Sequence, residues 1–102
     1  MALDRMEMAR RLAGAIRCRT VSHEVETEND WGEFERLHLF LREEYPLCHR
    51  VMEQEKVLGH SLLFRWPGRR PGGEGVLFLA HQDVVEAQGK WEHPPFDGII
   101  EG

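Results

Sequence analysis

The sequence has little cysteine, a single tyrosine, no long apolar run and no excess of positive charge. The two cysteines, Cys18 and Cys48, lie far apart and form no closely spaced pair of the kind a structural metal site uses, so they read as ordinary reduced thiols rather than a disulfide. The run Val76 to Ala80 falls far short of the roughly 20 apolar residues that cross a bilayer, which argues against a membrane span. Lys and Arg number 13 against 18 Asp and Glu, a formal net charge of -5 that opposes an electrostatic hold on nucleic-acid phosphates or an anionic membrane surface. The basic clusters "ARR" and "GRRPG" are too short to reverse that balance. In the opening stretch "MALDRMEMARRLAGAIRCR", Asp4, Glu7, Arg10 and Arg11 interrupt the apolar positions, so the core of a signal peptide is missing and a cytoplasmic location is expected. There is no internal repeat and no low-complexity segment.

What is present suits one small α/β domain: 102 residues, 41% hydrophobic and 30% charged. Leu3, Met6, Ala9, Leu12, Ala13 and Ile16 recur at helical spacing and predict an amphipathic helix from Ala2 to about Arg17. Asp30 reads as the N-cap of a second helix, with Glu33 placed to reach back to the Asp30 amide as in a capping box. Trp31, Phe34, Leu37, Leu41 and Tyr45 make its buried face, and Pro46 stops it. "HRVMEQEKV" and "SLLFRW" are expected as extended neighbours turning at Gly59, followed by a solvated loop from Pro67 to Gly75. "VLFLA", without polar alternation, predicts a strand buried on both faces of a helix-covered sheet. The expectation is thus two helices followed by about three strands of a mixed sheet.

The chemistry gathers at the carboxyl end of that last segment, where ligand sites form in such sheets. If the chain stays extended, alternation sets His81 and Asp83 on one side and Gln82 on the other. A neutral imidazole ligates zinc, and a nearby carboxylate can accept the proton on its other ring nitrogen. The same pair also suits a general base with its orienting carboxylate. From the triplet alone the plainest reading remains hydrogen bonding at a strand end. The other histidines read as structural: His38 packs beside the second helix's apolar stripe, His60 satisfies groups at the turn, and His23 and His49 have no partner at ligand spacing. His93, before two prolines, caps or packs a rigid loop that Trp91 and Phe96 pin to the core.

The segments "LFLAHQDVV" and "WEHPPFDGIIEG" together resemble the first metal-binding segment of the zinc-dependent peptidase and deacylase family that includes carboxypeptidase S, aminoacylase, acetylornithine deacetylase and succinyl-diaminopimelate desuccinylase. "LAGAIRCRTVS", "FERLHLFLREEYP" and "GHSLLFRWPG" extend the resemblance over nearly the whole chain, most closely toward carboxypeptidase S-like members. It implies that residues 1–102 are the N-terminal portion of a metal-binding catalytic domain, an incomplete fold whose remainder and inserted dimerisation or lid domain lie elsewhere. It implies two zinc ions, with His81 a ligand of one and Asp83 the member of the catalytic set that supports His81. The family's metal-bridging aspartate, its glutamate base and its other ligands follow the region that ends here at Gly102.

The expected function is therefore that of a fragment of a zinc-dependent hydrolase cleaving amide bonds of dipeptides or N-acyl amino acids next to a free carboxylate, inactive by itself, with no nucleic-acid or membrane partner and with a homodimer open only to the full-length protein. Two alternatives stay open: an N-acyl amino acid deacylase rather than a carboxypeptidase, and a free-standing, non-catalytic small binding domain.

Overall fold

A computed structural model describes residues 2–102. Helix α1 spans Arg5–Ile16; Asp4 starts it, accepting from the amides of Met6 at 3.0 Å and Glu7 at 3.1 Å. The first turn therefore begins after the acidic residue that the sequence pattern ran through. A 3-10 turn at Glu26–Glu28 leads to helix α2, Trp31–Glu44. Asp30 caps α2 as expected, accepting from the Gly32 amide at 3.1 Å. Glu33 does not close a capping box. Its carboxylate takes the Arg19 amide at 3.3 Å and the Arg36 guanidinium at 3.2 Å, tying the segment after α1 to the first turn of α2.

Pro46 ends α2 but also begins a short helix α3, Pro46–Val51, because proline's fixed φ suits a first helical position as well as a stop. Thus "HRV" is helical, and the extended chain starts only at β1, Glu53–Val57. Strand β2, Ser61–Arg65, pairs antiparallel with β1, as the sequence suggests, in the register Glu55↔Leu63. Leu58 at φ 52° and Gly59 at φ 85° form the turn, the conformation in which glycine has no steric cost. His60 follows as an extra residue of the loop, and its ring lies flat on Trp31 with centroids 3.6 Å apart. Lys56 also reaches Glu35 at 2.9 Å, so the hairpin is held to α2 by one ring stack and one ion pair.

The core is small and sits between the helices and the segment that follows α1. Ala13, Cys18, Phe34 and Leu37 are its buried apolar residues, with Thr20 and His38 buried beside them. Gly14 lets the helices approach closely: a β-carbon there would lie 2.5 Å from the Phe40 ring. Both cysteines are free thiols, and burial pushes the Cys18 thiol above its ordinary pKa.

Three expectations fail for one physical reason. On α1 only Ala13 of the predicted face is buried, while Met6 and Leu12, and Leu3 ahead of the helix, face solvent. Val76–Ala80 forms no strand; Phe78 is 89% exposed, and the sheet of the described residues has the two strands of the hairpin rather than about three. Trp91, at 58% exposure, reaches only the Gln88 carbonyl at 3.1 Å and pins nothing to the core. Each of these apolar surfaces needs a covering layer, and among the described residues none reaches it. The Cα radius of gyration, 16.3 Å, agrees, since a closed domain of this length has a value of about 13 Å. The described residues are an α/β arrangement of helices and one antiparallel hairpin, and no helix among them is long and apolar enough to cross a membrane.

Candidate metal-binding site

The segment Gln82–Val84 is fastened to the core by the chain leaving α1. Val21 and Val84 form an isolated parallel bridge. The Ser22 amide donates to the Val84 carbonyl at 3.0 Å, and the Val84 amide to the Thr20 carbonyl at 2.9 Å. Buried Thr20 adds a hydroxyl bond to the Gln82 carbonyl at 2.7 Å. The backbone is extended here, and the alternation predicted from sequence appears: Gln82 turns inward while His81 and Asp83 share the outer side.

Gln82 is held at both ends of its amide. Its Nε2 donates to the His60 carbonyl, which leaves Oε1 to accept from His38 Nε2 at 2.8 Å. The imidazole of His38, only 4% exposed, thereby joins α2 to the segment that carries the candidate residues. His38 is a packing residue, as its place beside the α2 stripe suggests.

On the outer side His81 Nδ1 lies 2.7 Å from the Asp83 carbonyl oxygen and 3.3 Å from Asp83 Oδ1. Both are acceptors, so Nδ1 carries the proton and Nε2 is left with a free lone pair. The His81 side chain is 83% exposed, and nothing among the described residues occupies that nitrogen. Asp83 Oδ2 accepts from the Ser22 hydroxyl at 2.7 Å. That hydroxyl above all, then Asp83's own backbone amide and His81, hold the Asp83 carboxyl below its ordinary pKa, against a smaller desolvation cost.

A ring fixed in one tautomer, with a carboxylate behind it and a free nitrogen in front, is the donor arrangement a zinc ligand requires. The residues present fit the metal that the sequence resemblance implies, as one part of a ligand set. A three-ligand hydrolytic site needs further donors, and the grouping of potential metal ligands found among the described residues does not include His81 or Asp83. Glu92, His93 and Glu101 bring their ligand atoms within 4.8 Å of one another, with His93 Nε2 at 2.5 Å from Glu101 Oε1. His93 is thus paired to a carboxylate eight residues on. Phe96 is half-buried under the Arg19 guanidinium, 5.0 Å from its ring centre.

Sequence reading missed Ser22, Thr20 and Gln82 as parts of this site. Ser22 is separated from Asp83 by most of the chain, and a serine in an irregular stretch gives no periodic signal. Gln82 was visible only as the residue of opposite facing.

Comparison with known proteins gives the class: over nearly its whole length the chain matches a fragment of the hydrolase family of carboxypeptidase S and its relatives. It is 32% identical to carboxypeptidase S of Saccharomyces cerevisiae over 86% of this chain and 17% of that protein. It is 34% identical to a carboxypeptidase S-like protein of Dictyostelium discoideum over 97% of this chain and 20% of that protein. It is 33% identical to the N-fatty-acyl-amino acid synthase/hydrolase PM20D1 of Mus musculus over 94% of this chain and 20% of that protein. The chain therefore spans about a fifth of the length of the curated relatives it matches. No family model matches it, and no solved structure does.

Proposed function

We propose that residues 1–102 are the N-terminal part of the catalytic domain of a zinc-dependent hydrolase acting on amide bonds next to a free carboxylate, in dipeptides or N-acyl amino acids. The observation that carries this reading is the His81–Asp83 pair, which stands at the end of an apolar segment with Nδ1 occupied and Nε2 open. Zinc, when bound, supplies Lewis acidity at the scissile carbonyl. His81 holds the metal through Nε2, and Asp83 keeps the proton on His81 Nδ1 and stabilises positive charge on the ring.

A second zinc ion, the bridging carboxylate and the general base would come from sequence outside these residues, so the 102-residue chain by itself is inactive. A homodimer is open only to the full-length protein, and the two free thiols suit the cytoplasm. The negative net charge favours neither nucleic acid nor membranes as partners.

Two substrate readings are supported by the relatives' names, since one is a carboxypeptidase and another a hydrolase of N-fatty-acyl amino acids. The carboxypeptidase reading is preferred on the resemblance of "LFLAHQDVV", "WEHPPFDGIIEG" and the upstream segments to carboxypeptidase S-like proteins. Turnover of a dipeptide panel and an N-acyl amino acid panel by the full-length protein, before and after chelation and zinc return, tests both. Zinc-restored cleavage of dipeptides is expected; preference for acyl amino acids would transfer the protein to the deacylases, and chelator-insensitive turnover would contradict the metal assignment.

A further inference from the structure

We infer that Ser22 is a positioning residue for the proposed metal ligand: by holding Asp83 Oδ2, it turns Oδ1 toward His81 Nδ1 and so presents His81 Nε2 to a divalent metal. The inference rests on the reading of His81 as a ligand and extends it to a residue far away in sequence.

An aspartate's terminal torsion is broad and nearly two-fold, so a half-exposed carboxylate has no preferred way to face unless one oxygen is held. The Asp83 side chain is 47% exposed, and water competes for both of its oxygens. Ser22 removes that freedom. Its hydroxyl must donate, because an ionised carboxylate only accepts, and the 2.7 Å contact is the short distance of a charge-assisted bond. The other oxygen, Oδ1, then lies 3.3 Å from His81 Nδ1, adding the carboxylate's charge beside the 2.7 Å hydrogen bond that the Asp83 main-chain carbonyl accepts from the same nitrogen.

Ser22 is in turn fixed independently of its side chain. Its amide donates to the Val84 carbonyl, and the next inward residue, Thr20, is buried and bonded to the Gln82 carbonyl. The hydroxyl can therefore be removed while the backbone that carries it stays in register.

The test compares Ser22→Ala, Ser22→Thr and His81→Ala in the full-length protein. It reads zinc affinity by competition with a chromophoric chelator and the His81 tautomer in the metal-free protein by nitrogen-15 NMR. Removing a partner directly behind a ligand lowers metal affinity by about 10- to 100-fold, and one step further out the expected loss for Ser22→Ala is about three- to tenfold. The fraction of His81 protonated at Nδ1 should fall by less, because the Asp83 main-chain carbonyl still accepts from that nitrogen at 2.7 Å. Ser22→Thr keeps the hydroxyl on a residue suited to extended backbone and should restore both readings. In an Asp83→Ala background, Ser22→Ala should have no further effect.

Wild-type zinc affinity and tautomer in Ser22→Ala, alongside a large loss in His81→Ala, would overturn the role of Ser22 and leave the ligand assignment standing. A loss that threonine does not restore, or that persists without Asp83, would overturn it too, since Ser22 would then act through packing. Unchanged zinc binding in His81→Ala would remove the ligand assignment and this inference together.

Discussion

Replacing Gln82 with alanine would cut the link between the core and the candidate site, and the cost can be worked from the contacts. The substitution leaves the His60 carbonyl without the Gln82 amide and leaves His38 Nε2, inside the core, without an acceptor. His38 Nδ1 is already buried with no hydrogen-bond partner among the described residues, so the ring would have neither nitrogen hydrogen-bonded. Each stranded buried group costs about 1–3 kcal/mol, and two of them, one partly reachable by water, sum to about 2–4 kcal/mol. Urea unfolding of the full-length protein should show a lower midpoint with an unchanged slope. His38→Leu should weaken the penalty: once both partners of the buried bond are gone, the double variant should fall short of the summed single losses by at least about 1 kcal/mol. A Gln82→Ala loss under about 0.5 kcal/mol, or strict additivity with His38→Leu, would refute the claim that this amide fastens the segment.

Further outcomes follow from other contacts. Gly14→Ala places a methyl group 2.5 Å from the Phe40 ring and should destabilise by about 1–3 kcal/mol, read as a lower melting temperature; an unchanged melt would mean that α1 and α2 do not pack as closely as described. Lys56 above all holds the Glu35 carboxyl below its ordinary pKa, and Arg10 does the same for Glu7. Because the folded values are depressed, this stabilisation is present above the unfolded glutamate value of about 4.3 and is lost as pH falls through the folded values. Chemical shifts of both carboxyls followed by NMR should give midpoints below that of a model glutamate, and 1 M salt should reduce the difference because both sites are exposed. Phe78→Lys should make the 102-residue chain more soluble and lower its binding of a hydrophobic dye, since Phe78 lies exposed in an unpaired apolar segment; unchanged dye binding would place the sticky surface elsewhere.

Local signals are legible where local physics decides. Asp30 caps α2, Phe34 and Leu37 are buried on its predicted face, and Gly59 makes the hairpin turn because only a few residue types tolerate its backbone. His81 and Asp83 share a side because alternation is a property of any extended chain. Pro46 shows the limit of a local rule: the same fixed φ that halts α2 begins α3, and composition does not say which. Glu33 prefers the Arg19 amide to its own cap, a competition between partners far apart in sequence. The α1 stripe and "VLFLA" carry the pattern of buried elements, yet burial depends on a covering layer that none of the described residues supplies. Ser22 and Gln82 were illegible as site residues because their roles exist only once the segment after α1 is laid beside Gln82–Val84.

The measurement that bears most directly on the account is zinc content and affinity of the full-length protein with His81→Ala compared with His93→Ala. His81 has its ring fixed with a nitrogen free, whereas His93 is already paired with Glu101. Loss of tightly held zinc is expected in His81→Ala, and wild-type zinc in His93→Ala. Full zinc occupancy in His81→Ala would contradict it.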